Sequence, residues 1–126
     1  MTRVRPEEVR LVNTTRDVVL AERVERAAAM VDRILGLLGR STFADGDALI
    51  ISPCNAIHTF FMKFPIDAVF LDRSGRVVRT VPELRPWRAT RFHLAAAQVI
   101  ELPAGTVART GTCVGDQLIF RERSAV

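Results

Sequence analysis

Ala68-Val-Phe-Leu-Asp72, the turn Arg73-Ser-Gly75 and then Val77-Val-Arg-Thr-Val81 form the stretch that decides the fold class. Two short runs rich in β-branched and aromatic residues, separated by a polar, glycine-bearing turn, read as strands. Working outward, the same pattern recurs at Val9 to Asn13, Val18 to Arg23, Ala48 to Ser52, Ile57 to Met62 and Gln117 to Arg121. Pro82, Pro86 and several arginines make residues 82–93 a loop, and residues 93–102 carry both helix and strand signals. One segment changes period. Ala27, Val31, Ile34, Leu35 and Leu38 fall on one helical face, and Gly39 offers a stop. Many short strands, tight turns and one short helix near residues 27–38 predict a mainly β fold, an antiparallel β-sandwich or barrel.

The 126 residues, 48% hydrophobic and 25% charged, fit a single globular domain, 1–126. No apolar run approaches the roughly 20 residues needed to span a bilayer. The N-terminal Met-Thr-Arg-Val-Arg-Pro leads into no hydrophobic signal core, so a cytoplasmic location is expected. The net charge is +4, and Lys63 is the sole lysine. Most arginines alternate with acids, a scatter that argues against a nucleic-acid footprint. Residues 73–91 differ, with six arginines against Glu83. That segment is either a solvated face or an anion-binding one. Cys54 and Cys113 form no CxxC pair, and reduced, buried thiols are expected of them.

Chemistry-bearing residues concentrate in Cys54-Asn-Ala-Ile-His-Thr-Phe-Phe-Met-Lys-Phe-Pro-Ile-Asp67. If the segment is one extended strand, Cys54 and His58 lie ~13 Å apart, too far for a nucleophile–base pair or a shared metal. A strand apolar on both faces is a central one, and a buried His58 needs a hydrogen-bond partner. Asp67 can be that partner if the turn after Met62 has four residues. Cys54, His58, His93 and Cys113 match no zinc spacing, so no metal or other cofactor is expected. Further along, Arg85-Pro-Trp-Arg88 sets an aromatic among guanidiniums, suited to a flat or anionic ligand.

Several segments occur in a familiar order: Arg33-Ile-Leu-Gly-Leu-Leu-Gly-Arg40, Ile57-His-Thr-Phe-Phe-Met-Lys-Phe-Pro-Ile-Asp67, Pro86-Trp-Arg88, Glu101-Leu-Pro-Ala-Gly105 and Gly115-Asp116. From about Val18 to Phe120 the chain resembles the domain-of-unknown-function 192 family (uncharacterised protein family 0127). The resemblance implies a compact jelly-roll-like β fold of bacteria and archaea, and it brings no reaction or catalytic residue with it. The residues themselves point to a binding module holding a small anionic ligand with His58, Met62, Asp67, Trp87 and Arg88. The alternatives are a hydrolase or transferase that uses His58 with Asp67, and an interaction domain with no activity. No nucleic-acid partner and no membrane span are expected.

Overall fold

In a computed structural model, described for residues 9–27 and 43–122, eight strands form two sheets. A three-stranded antiparallel sheet, in the order β2-β1-β8, is built from β1 (Val9–Asn13), β2 (Val18–Ala21) and β8 (Leu118–Glu122). The five-stranded sheet contains β3 (Arg23–Ala27), β4 (Asp47–Ile51), β5 (Ile66–Leu71), β6 (Val77–Leu84) and β7 (Gln98–Pro103), in the order β3-β4-β7-β5-β6. The architecture is a β-sandwich and not a closed barrel. One pair, β3 with β4, runs parallel within the otherwise antiparallel arrangement.

Alternation along the strands gives the larger sheet two apolar faces. Ile50, Val69, Leu71, Ile100 and Leu102 meet Leu11, Leu20 and Leu118 of the smaller sheet in the inter-sheet core. Leu49, Ile51, Ile66, Ala68, Phe70 and Val99 point the other way and are covered by Ile57, Met62 and Ala96, which lie on loops. The sheets meet at the turn between β5 and β6, where Gly75 has φ +86 and a Cβ would stand 2.6 Å from the Leu118 carbonyl. Both the backbone conformation and the contact require glycine there.

Two expectations change, and a third falls outside the described residues. Residues 57–62 do not form a strand: His58 makes a single isolated bridge to Ala89, and Phe61 turns into the left-handed region at φ 69. The segment crosses the sheet as a cover, sending Ile57 and Met62 inward and leaving Phe60 and Phe61 outside. Strand β6 continues through Pro82 to Leu84, because β6 is a sheet edge, where a residue without an N–H is tolerated. The helix expected at 27–38 lies outside the described residues, except that Ala27 ends β3 opposite Ile51. The described helix is α1 (Thr106–Thr110), a single short turn.

Two buried carboxylates tie distant segments together. Asp67 is fully buried on β5 and accepts N–H bonds from Glu83 (2.8 Å), Gly105 (3.2 Å) and Val107 (2.8 Å). Gly105, at the N-cap of α1, has no side chain to cap the helix, so Asp67 supplies the acceptor from the sheet. The Glu83 N–H reaches it where φ is 53, opposite a register shift in β5. Asp116, in the turn before β8, accepts from Asn13 Nδ2 (2.9 Å), Arg16 Nε (2.6 Å) and the Cys113 N–H (3.0 Å). Burial alone would raise its pKa. The hydrogen bonds from Asn13, Cys113 and Arg16, with the Arg16 charge, outweigh that and bring it from 3.8 to about 2.

Replacing Asp67 by Ala is expected to lower stability by roughly 3 kcal/mol, since three buried N–H groups lose a charged acceptor together. Urea denaturation measures this, and a loss under about 1 kcal/mol would contradict the capping role. Asp116 gives a pH dependence. Its folded pKa lies below its unfolded one, so its contribution is present above about pH 4 and is lost as the pH falls towards 2. The stability gap between the wild type and Asp116→Asn should therefore narrow over that window. A gap that stays constant would show that the carboxylate charge is not what matters.

Candidate functional site

The covering loops run antiparallel to each other without forming a regular sheet. The His93 N–H reaches the Asn55 carbonyl (2.9 Å), Thr90 N–H the Ile57 carbonyl (2.9 Å), and Thr59 N–H the Arg88 carbonyl (2.8 Å). Thr59 is wholly buried and is the centre of this staple. Its carbonyl accepts the Trp87 N–H (3.0 Å), and its hydroxyl accepts the Arg88 N–H (2.9 Å) while donating to the Arg85 carbonyl. A loop pair lying over a sheet must satisfy its own backbone groups, and one threonine side chain answers two of them.

The staple brings two loop tips together, each carrying a strained aromatic. Phe61 has φ 69 and Trp87 φ 64, conformations that bulky residues rarely adopt. Their rings meet at 4.7 Å between centroids, tilted by 58°. Phe60 stacks on Trp87 at 6.0 Å and on His58 at 4.7 Å. His58 Nδ1 accepts the Phe60 N–H (3.3 Å), which helps set the orientation of the stack. These aromatics are not buried: Phe61 is 60% and Trp87 55% exposed.

Charge around the cluster is of one sign. Residues 54–63 and 84–97 contain Lys63, Arg85, Arg88 and Arg91 and no aspartate or glutamate. All four cations are exposed, and none forms an ion pair among the described residues. Among the described residues the Arg88 guanidinium donates to the carbonyl of Trp87, at 3.4 Å.

Of the residues the sequence singles out, the structure gathers His58, Trp87 and Arg88 on this surface and sends Met62 and Asp67 inside. The His58–Asp67 pair does not form: the carboxylate accepts the Glu83 N–H of β6 and the Gly105 and Val107 N–H groups at the cap of α1. Residues 57–62 are no strand, so strand rise does not set the distance from Cys54 to His58. The Cys54 thiol donates to the Ala56 carbonyl (3.1 Å). It lines an open cleft of about 1010 Å³ with Asn55, Asp72, Arg73 and Leu94, beyond the far end of the loop pair from Trp87. Cys113 is exposed instead of buried, because its turn faces outward with Arg16 against the sulfur (2.6 Å), and the two cysteines are not joined by a disulfide.

Sequence reasoning missed Thr59 as the buried staple and Phe60 and Phe61 as parts of a surface. Strict alternation assigned them to the two faces of a strand. The signal that was present is the acid-free, arginine-interleaved composition of residues 84–97.

The model of the DUF192 family, described as an uncharacterised ACR, matches residues 11–120. A UPF0127 protein of Pyrococcus abyssi is 37% identical over 114 residues, covering 86% of this chain and 94% of the relative. One from Thermococcus sibiricus is 33% identical over 123 residues, covering 92% and 79%. Among solved structures, a Sinorhizobium meliloti protein provisionally described as a transcription regulator superposes with a TM-score of 0.74 at 26% identity, covering 94% of this chain and 98% of its own. A protein of unknown function from Novosphingobium aromaticivorans gives 0.73 at 22% identity, covering 88% and 82%. A family match over nearly the whole chain, with relatives above 30% identity along most of their length, places this chain in the DUF192 (UPF0127) family.

Proposed function

We propose that the chain is a binding module whose aromatic and arginine surface takes a small anionic ligand with a flat apolar part. The observation that carries this is the pair of exposed aromatics, Phe61 and Trp87, held at positive φ beside guanidiniums that form no ion pair among the described residues. Backbone strain in non-glycine residues persists only where the surroundings enforce it, and it concentrates at working surfaces. Here Thr59 enforces it. Trp87 and Phe60 offer apolar ring surface, His58 steadies Phe60, and Arg88 with Arg85 supplies charge-assisted donors to an anionic group. Met62 and Asp67 support the surface from within and do not touch the ligand.

Trp87 is the sole tryptophan, so intrinsic fluorescence reports on this surface alone. Titration with phenyl phosphate, a flat anion, is expected to change the emission saturably. Arg88→Gln should weaken the affinity by about tenfold, the loss of one charge-assisted contact. Absence of any saturable change at millimolar phenyl phosphate would overturn the reading.

A further inference from the structure

We infer that the loop pair, residues 54–63 with 84–97, docks on an anionic lipid bilayer, so that the anion met beside Trp87 is a lipid headgroup. This rests on the reading of Trp87 and Arg88 as an anion-binding surface and extends it to a partner. A small ligand beside Trp87 leaves two exposed apolar residues unexplained. Phe92 is 78% and Leu94 91% exposed, and both lie on the second loop, past the aromatic cluster. Six large apolar side chains stand strongly exposed among the described residues, and all but Val114 are on this loop pair. Large exposed apolar side chains concentrated along one pair of loops mark a contact surface.

The accompanying charge selects the partner. Lys63, Arg85, Arg88 and Arg91 are exposed on the same loops, and neither loop segment contains an acid; Asp72 shares the cleft of Leu94 together with Arg73. Apolar side chains that enter the acyl boundary, aromatics at headgroup depth and cations against anionic lipid form the pair of signals that stable peripheral binding requires. Arginine suits this place, since its stem lies along apolar surface while its head stays with phosphate. Nucleic acid would use the cations but gain little from Phe92 and Leu94, which stand outside the ring stack. No helix among the described residues is long and apolar enough to cross a membrane, so the contact proposed is with the bilayer surface.

The test is co-sedimentation of the whole chain with vesicles of phosphatidylcholine, with and without phosphatidylglycerol. The protein should sediment with the anionic vesicles only, and less so as salt rises. A Phe92→Ser, Leu94→Ser double variant should lose at least about tenfold in vesicle partitioning while keeping its Trp87 response to phenyl phosphate, which also certifies its fold. Sedimentation equal with neutral vesicles, or unchanged in the double variant, would overturn the inference. So would tight binding of duplex DNA by protein that ignores vesicles. If vesicles fail but phenyl phosphate still perturbs Trp87, bilayer docking falls and the small-ligand site stands. If both fail, both readings fall.

Discussion

A sheet that is apolar on both faces needs two covers, and most of this structure follows from how the second one is made. The first cover is the three-stranded sheet, whose ladder satisfies its own backbone. Over the other face, the described cover is loops, carrying Ile57, Met62 and Ala96 down onto Phe70 and Val99. Loops bring polar backbone into an apolar contact, and the cost is met only if each group finds a partner. Thr59 provides the solution by bonding across to Arg85, Trp87 and Arg88. The same solution bends the tips at Phe61 and Trp87 and turns their rings to solvent. The exposed aromatics are thus a by-product of covering the sheet, and the proposed binding surface is built on them.

Much of the fold could be read from period and punctuation. Val9 to Asn13 is a strand with those bounds, and the turn at Arg73-Ser-Gly75 sits where its residues require. Alternation says which residues share a face, but not which strand lies alongside, so the parallel β3–β4 pair left no trace in the pattern. It also fails where a chain covers a sheet without joining it. Ile57 to Met62 has the composition of a central strand, yet its apolar residues divide between a core and a surface. Helix α1 was invisible for another reason. Thr106-Val-Ala-Arg-Thr110 has weak intrinsic helix propensity, and its N-terminal acceptor comes from Asp67, far away in sequence.

The candidate site was legible in part. Trp87 and Arg88 declared themselves by composition, an aromatic among cations in a proline-marked loop. His58 belongs to the surface, but through its contacts with Phe60 and not through a carboxylate. Asp67 looked like a partner for the imidazole because a buried histidine needs one. The structure gives that carboxylate to backbone N–H groups that need it equally. Which of two unsatisfied groups an acid will serve depends on loop geometry, which local sequence does not encode.

The pairing of β1 with β8 has a consequence for the order of events during synthesis. Val9 to Asn13 leaves the ribosome more than a hundred residues ahead of its partner, Leu118 to Glu122. The five-stranded sheet is complete once Pro103 is out, so it can assemble while the strand that closes the smaller sheet is still in the exit tunnel. Until then the inner face with Ile50, Val69 and Ile100 lacks part of its cover, and β1 presents an open edge. The smaller sheet is therefore finished by a long-range closure, and the interval before it leaves apolar surface open to aggregation.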